Sequence, residues 1–215
     1  MHVERVIEPQ EAAIVRRMFE LCVVGWGVKR IAKALNAEGA LAPTPRRRGR
    51  PRSWAPSSVR EVLYRPLYRG EIVWTRLRMR DQWDVKHYAE RPETEWIRVP
   101  AAELRIVSDE LGEASHARLS ASRASYLRGT RDERWGRPPS GIASKYLLTG
   151  MASCSGCGGT MIVTSQDWKT RRNFAYACGY YHTRRSSVCS NCLEAPMEAV
   201  NREVPHGLQA ESRGP

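Results

Sequence analysis

Five of the six cysteines lie within the 39 residues from Cys154 to Cys192. Cys154 and Cys157 are separated by two residues, as are Cys189 and Cys192, and Cys178 lies between the two pairs. A Cys-x2-Cys pair forms a tight turn that directs two thiolates at one metal ion, and zinc takes four such ligands in a tetrahedron. The cluster therefore predicts a structural zinc site rather than disulfides.

Two ligand sets fit this spacing. The symmetric set contains both Cys-x2-Cys pairs, and spacing alone favours it. The other set replaces Cys192 by Cys178. The residues before Cys178 alternate as in a strand that would deliver a ligand at its end, and glycines follow only the first pair. His182 is a fallback ligand in an arginine-rich segment.

The second chemical feature is a concentration of arginine. Eleven arginines, two acidic residues and no lysine lie between Arg46 and Arg80, in a chain whose formal net charge is +12. A guanidinium is a planar fork of donors that matches phosphates and guanine edges. A basic block followed by a small cysteine cluster indicates double-stranded DNA as the partner.

The cellular compartment follows from what the chain lacks. No apolar run approaches the ~20 residues needed to span a bilayer. The first ten residues are too polar for a signal peptide. We therefore expect a cytoplasmic protein without a membrane partner, in a reducing compartment where spaced cysteines bind metal.

Helical spacing of apolar residues predicts three helices in the first third of the chain. They run from Pro9 to Val24, from Val28 to Glu38, and over a short stretch capped by Ser57 or Ser58. A loop rich in Pro and Arg, Leu41 to Ser53, separates the second helix from the third. This arrangement suits a helix-turn-helix-like DNA reader with an extended turn.

The rest of the chain predicts strands, one long helix and the cysteine module. Glu71 to Arg78 and Trp96 to Val99 alternate as strands, and Ser108 caps a helix that runs to about Leu127. The predicted fold class is α+β: a helical helix-turn-helix-like DNA-binding domain with a small β element, followed by a zinc-ribbon β domain. The predicted domains are a DNA-binding domain over 4–127, a linker over 128–145, the ribbon over 146–204 and a disordered tail over 205–215.

Position along these elements assigns the DNA contacts. We expect base edges to be read at the start of the third helix, by Ser57, Ser58 and Arg60. The arginines expected to face phosphates are Arg65, Arg69, Arg76, Arg78 and Arg80. Within the loop, Arg48-Gly49-Arg50-Pro51 matches the core of an AT-hook that inserts into an A·T-rich minor groove, and its flanks Arg46, Arg47 and Arg52 would hold the backbones. The alternative is that this loop touches phosphates only.

Several separated motifs resemble those of one known family. They are Val6–Ala12 (VIEPQEA), Ile31–Gly39 (IAKALNAEG), Trp54–Arg60 (WAPSSVR) and Leu67–Val73 (LYRGEIV). Together they resemble the recombinase domain of the large serine recombinases, the integrases of phages and mobile elements. The segment Tyr146–Gly150 (YLLTG), followed by Cys154-x-x-Cys157, Tyr176-x-Cys178 and Cys189, resembles the zinc ribbon that comes next in that family.

The resemblance implies one ligand set and one further DNA contact. It makes Cys154, Cys157, Cys178 and Cys189 the zinc ligands and leaves Cys192 as a spare thiol. It also implies that the ribbon grips DNA, where a predicted hairpin tip carries Lys169, Arg171 and Arg172.

The family's catalytic serine lies in a Tyr-x-Arg-x-Ser context, and no serine of this chain does. We therefore expect the chain to hold the DNA-reading modules, to be inactive in strand exchange alone, and to depend on a separate catalytic serine recombinase subunit. The alternatives are a stand-alone DNA-binding regulator or a non-functional remnant of an integrase.

Overall fold

The computed structural model describes residues 5–45, 51–80, 86–129, 146–168 and 171–212. Its helices and strands are, in chain order, α1 (Pro9–Val23), α2 (Val28–Ala37), α3 (Pro56–Tyr64), β1 (Glu71–Trp74), β2 (Leu77–Arg80), β3 (Lys86–Glu90), β4 (Ile97–Pro100), α4 (Asp109–Gly129), β5 (Met161–Trp168), β6 (Arg171–Cys178), α5 (Gly179–Arg184), β7 (Glu194–Pro196) and α6 (Met197–Ser212). The α+β fold class predicted from the sequence is confirmed.

The chain divides into two compact units. One comprises Met1–Ile31 and Ser57–Tyr126, and the other comprises Ala32–Pro56 and Leu127–Pro215. Helix α2 crosses from the first unit into the second. The second unit therefore contains the end of α2, the segment before α3 and the cysteine module.

Helix α1 begins as its sequence predicts. Pro9 occupies the first turn, where its missing N–H is not needed, and the Glu8 carboxylate accepts a hydrogen bond of 2.7 Å from the Glu11 backbone N–H. The buried face of α1 is Ala12, Val15, Met18, Phe19 and Cys22. Cys22 is therefore a core thiol, as its position on the apolar face predicts.

The carboxyl end of α1 is held by a residue of the same unit that lies far along the chain. The Arg118 guanidinium, on α4, donates to the backbone carbonyls of Gly25 and Trp26, at 3.2 Å for Trp26. Both carbonyls lie in the turn after the last helical residue, Val23, where the guanidinium supplies charge-assisted hydrogen bonds. Arg118 thus fixes the turn that follows α1.

Two antiparallel strand pairs follow α3. β1 pairs with β4 and β2 pairs with β3. The single strand predicted from Glu71 to Arg78 is wrong, because Thr75 adopts a left-handed conformation with φ of 61° and ends β1 at Trp74. The Thr75 hydroxyl lies 2.7 Å from the carbonyls of both Trp74 and Glu95 and can donate its one hydrogen to either, which stabilises the break.

The cysteine module is a three-stranded antiparallel sheet of order β5-β6-β7. β5 and β6 pair along their full length, from Met161 opposite Cys178 to Trp168 opposite Arg171. The strand predicted to end at Cys178 is confirmed as β6. Helix α5 follows immediately, and the Cys178 sulfur caps it by accepting from the Tyr181 backbone N–H at 3.5 Å.

Two helix boundaries differ from the sequence-based expectation. Helix α3 begins at Pro56, which places Ser57 and Ser58 inside its first turn rather than at its cap, because proline suits that first position.

Helix α6 continues through Pro205 to Ser212, within the segment predicted to be a disordered tail. Val200 and Val204, which are four residues apart on this helix, are both half-buried. The predicted linker lies largely outside the described residues, apart from the end of α4.

No helix among the described residues combines the length and the apolar character needed to cross a membrane.

Candidate metal centre and nucleic-acid interface

Four cysteines converge in the ribbon. The sulfurs of Cys154, Cys157, Cys178 and Cys189 all lie within 4.8 Å of one another. The sulfur–sulfur distances are 3.9 Å from Cys154 to Cys189, 3.5 Å from Cys157 to Cys178 and 3.6 Å from Cys178 to Cys189. Thiolates are the softest protein ligands, and four of them at this spacing can contact one ion. The arrangement is a metal-binding site.

A tight turn aims the first two ligands. The Gly158 backbone N–H donates to the Cys154 carbonyl, and the Cys154 N–H donates to the Gly159 carbonyl, both at 2.8 Å. Gly158 takes φ of +65°, which side-chain-bearing residues rarely adopt. A Cβ on Gly159 would lie 2.8 Å from the Tyr180 ring, so only glycine lets that ring pack beside the cysteines. Gly158 therefore permits the tight turn, and Gly159 leaves room for the Tyr180 ring to pack against the cysteines.

Asn191 donates hydrogen bonds to two of the four sulfurs. Its side-chain N–H donates to the Cys154 sulfur at 3.3 Å, and its backbone N–H donates to the Cys189 sulfur at 3.4 Å. The Asn191 hydrogen bond lowers the pKa of the Cys154 thiol to about 6. Burial raises the pKa of Cys157 to about 12 and raises that of Cys189. Asn191 thus favours the thiolate form that a metal ligand requires.

The two remaining candidates of the ribbon lie outside the four-cysteine group. Cys192 is exposed. His182 lies on α5 and lines a cavity of about 210 Å³ together with Lys33 and Arg185. Among the described residues, the metal-ligand geometry includes neither of them.

The start of α3 presents a polar face. Val59 and Leu63 are buried, whereas Ser57 and Arg60 are exposed one turn apart and Ser58 is half-buried. The Arg60 guanidinium lies 5.6 Å from the centre of the Tyr64 ring. This face can present hydroxyl and guanidinium donors to a ligand.

The arginines expected at phosphates fall into two groups. Arg65, Arg76 and Arg78 are exposed, and the Arg76 guanidinium lies 4.9 Å from the centre of the Trp96 ring. Arg69 is half-buried and lies across α4, since a Cβ on Gly112 would be 2.7 Å from its side chain. The Arg69 side chain therefore packs against α4. Arg80 lies on β2, but its side chain is outside the described residues.

The loop and hairpin arginines also differ from one another. Arg46, Arg47, Arg48, Arg50 and Lys169 lie outside the described residues. Arg52 is exposed, and its Nε donates to the Ala42 carbonyl at 2.5 Å. Arg171 and Arg172 are exposed at the start of β6, and Arg172 donates to the Ser165 hydroxyl across the hairpin at 3.0 and 3.1 Å. Arg52 and Arg172 thus use part of their donor capacity within the chain.

A histidine supports α3 from α4. The His116 ring meets the Tyr64 ring edge-on, with centroids 5.4 Å apart. Burial lowers the pKa of His116, and the Arg69 charge lowers it further. The neutral ring is therefore the form that packs beneath α3.

Comparison with known families decides what these features belong to. The Recombinase family model matches residues 9–122, more than half of the chain. The chain belongs to the recombinase family. The model of the recombinase zinc beta ribbon domain matches residues 147–208. The resemblance to large serine recombinases is thereby confirmed, with the two domains in the order that the motifs predict.

Two solved structures are similar to this recombinase-family chain. A crystal structure of an LSR–DNA complex is 16% identical, with a TM-score of 0.38, and the alignment covers 99% of this chain and 55% of that one. A structure from work on the sequence requirements of the Listeria innocua prophage attP site is 15% identical, with a TM-score of 0.35 and coverage of 95% and 72%. The chain spans about half the length of the first of them. No curated protein matched the sequence.

Sequence reasoning missed three polar residues of the recombinase-family chain. Asn191 could have been noticed as the residue between the last two cysteines. Asn36 exchanges two hydrogen bonds with the Trp54 backbone, at 2.9 and 2.8 Å, and Arg184 donates to the Ser53 hydroxyl at 2.6 Å. These last two contacts join segments that no local spacing connects.

Proposed function

We propose that this chain is the DNA-binding portion of a site-specific serine recombinase and recognises attachment-site DNA. The observation that carries the proposal is the ordered match to a recombinase domain and its zinc ribbon. The concentration of arginine in the first of these domains supports it, because guanidinium groups bind phosphates and guanine edges.

We further propose that the metal is zinc. A tetrahedral site with zinc–sulfur bonds of about 2.3 Å places its sulfurs about 3.8 Å apart. The closest sulfur pairs are separated by 3.5–3.9 Å, which supports this ion. An all-cysteine site leaves no open position, so the ion would supply folding free energy rather than catalysis. Cys154, Cys157, Cys178 and Cys189 would hold it.

The exposed donors divide into two roles on DNA. Ser57, Ser58 and Arg60, at the start of α3, would meet base edges in the major groove. Arg65, Arg76 and Arg78 would contact phosphates, as would Arg171 and Arg172 at the tip of the ribbon hairpin. Phosphate contacts add affinity and fix position, whereas the α3 contacts select sequence. Strand exchange would draw its nucleophilic serine from a catalytic recombinase domain or subunit.

Selection from a random duplex pool tests the proposal. The zinc-loaded chain should enrich one sequence, and fluorescence anisotropy should then show tighter binding to that duplex than to a shuffled duplex of the same composition. Arg60→Ala should reduce this preference, with Glu61→Ala, on the same helix, as the control. Failure to retain any duplex at low salt would overturn the proposal.

The arginine-rich loop between α2 and α3 allows a separate test of whether it inserts into the minor groove or contacts phosphates only. Insertion into the minor groove predicts that Arg50→Ala loses the preference for an A·T-rich over a G·C-rich sequence beside the site read by α3. Phosphate contact predicts equal weakening on both sequences. Competition binding with the two duplexes distinguishes these outcomes, and equal losses would exclude minor-groove insertion.

A further inference from the structure

The second unit contains the ribbon and also the residues on both sides of 46–50, which we call the arginine-rich segment. We call residues 38–45 and 51–55, which flank that segment, the loop base. A series of contacts between described residues runs from the cysteine cluster to the loop base. None of the cysteines belongs to the loop base, so any effect of the metal on it must pass through intervening residues.

The loop base is closed by its own hydrogen bonds. The Asn36 side-chain N–H donates to the Trp54 carbonyl at 2.9 Å, and the Trp54 backbone N–H donates to the Asn36 side-chain carbonyl at 2.8 Å. Arg52 adds a bond of 2.5 Å to the Ala42 carbonyl. The Trp54 side chain is buried. These hydrogen bonds hold together the two halves of the loop base, one of which follows α2 and the other of which precedes α3.

Helix α5 connects the cysteine cluster to this closure. Its first turn is capped by the Cys178 sulfur, one of the four metal-site atoms. Tyr180, on α5, packs against the cysteines and directly over Gly159. Arg184, the last residue of α5, places its guanidinium 4.4 Å from the centre of the Tyr180 ring. The orientation of Arg184 therefore depends on a helix that starts at a metal ligand.

Arg184 then reaches the loop base. Its Nη1 donates to the Ser53 hydroxyl at 2.6 Å, and that hydroxyl is within 3.4 Å of the Pro51 carbonyl, to which it donates. Ser53 precedes Trp54, the residue that Asn36 holds at both backbone atoms. A cavity of about 310 Å³ beside this contact is lined by the loop base and by residues of the ribbon such as Ser187. The hydrogen bond between Arg184 and Ser53 thus lies at the edge of this cavity.

We propose that Arg184 is a positioning residue that couples metal loading of the ribbon to the order of the loop base. Loss of the ion releases the Cys178 cap and the packing of Tyr180, so Arg184 no longer holds Ser53. The arginine-rich segment is then flanked by a loop base that Arg184 no longer holds. The consequence for DNA affinity rests on the proposed DNA-binding function, whereas the coupling itself rests only on metal binding by the four cysteines.

Hydrogen exchange with mass spectrometry tests the coupling in the full chain without DNA. Removing zinc with a chelator should raise exchange in peptides covering 51–55 as well as in the ribbon. Arg184→Ala should raise exchange in 51–55 by about tenfold, the effect of losing one charge-assisted hydrogen bond, with the zinc content unchanged. Arg185→Ala removes the same charge from the adjacent, exposed position and should leave 51–55 as in the wild type.

Variants of Ser53 complete the test. Ser53→Ala should reproduce the effect of Arg184→Ala, Ser53→Thr should retain wild-type exchange because it keeps the hydroxyl, and the double alanine variant should show no further increase. The coupling is overturned if zinc removal affects the ribbon alone, if the two arginine variants behave alike, or if the alanine effects add. DNA binding measured in parallel separates this result from the proposed function, because the exchange data are collected on the free protein.

Discussion

Replacing Cys178 tests the assignment of the metal site most directly, because Cys192 provides a matched control. The Cys178 side chain is 1% exposed, and its sulfur lies 3.5 Å from that of Cys157 and 3.6 Å from that of Cys189. Cys192 is exposed and outside the four-cysteine group. Cys178→Ser and Cys192→Ser therefore exchange the same atom, inside the site in one case and outside it in the other.

The expected magnitude follows from the number of ligands. A structural zinc site has an apparent binding free energy of about 10–16 kcal/mol. If four thiolates contribute equally, each accounts for roughly 2.5–4 kcal/mol, so Cys178→Ser should weaken zinc binding by about two to three orders of magnitude. Cys192→Ser should change it by less than about threefold, since exposed substitutions away from special features change free energies by about 0.5 kcal/mol or less.

Competition with a chromophoric chelator measures the zinc affinity, and elemental analysis measures the zinc content. The wild type and Cys192→Ser should each carry one zinc per chain, and Cys178→Ser should lose its zinc to the chelator at far lower chelator concentrations. Cobalt substitution provides a check in case Cys178→Ser folds poorly, because the thiolate-to-cobalt absorption reports the ligands directly. The opposite pattern, with zinc lost from Cys192→Ser and kept by Cys178→Ser, would refute the assignment in favour of the symmetric cysteine pairs.

Three further measurements test other parts of the molecule. Arg118→Ala should lower the unfolding free energy by about 1.5–3 kcal/mol in urea denaturation, because it removes charged hydrogen bonds to the carbonyls after α1, while the exposed Arg123→Ala should not; equal losses would contradict that role. Replacing Arg76 and Arg78 by alanine should flatten the salt dependence of DNA binding by about 1.8 in log–log slope, and an unchanged slope would mean that these side chains face solvent. His116 has a lowered pKa in the folded chain, so its contribution to stability is complete above about pH 6.5 and is lost as the pH falls below that value. His116→Gln should therefore make the acid limb of the stability curve shallower, and an identical limb would argue against the half-buried neutral ring.

The sequence predicted those features that depend on local periodicity. Helices α1, α2 and α4 follow from apolar residues at helical spacing, and β6 follows from alternation toward Cys178. The cysteine spacing alone left Cys178 and Cys192 as alternatives, since both lie near the second half of the cluster. The family resemblance implied the set that includes Cys178, and the structure brings that set together.

The features that sequence reasoning missed depend on single residues or on distant contacts. Thr75 interrupts an alternating stretch through its own backbone conformation, which the pattern of side chains does not encode. Pro205 reads as a helix breaker, yet α6 continues past it. Arg184 and Ser53 are 131 residues apart, and only the tertiary fold brings such a pair together.

The break at Thr75 also bears on the order in which the strands fold. It makes β2 and β3 an inner hairpin nested within the pairing of β1 with β4, where Trp74 and Ile97 are partners separated by 22 residues. Once the inner hairpin has formed, only about eight of these residues remain to be closed, which lowers the loop-closure cost by roughly 1 kcal/mol. We expect the hairpin to zip outward, with kinetic φ-values higher at Ala89 in the inner pair than at Val73 in the outer pair. The reverse order of φ-values would show that the outer pair forms first.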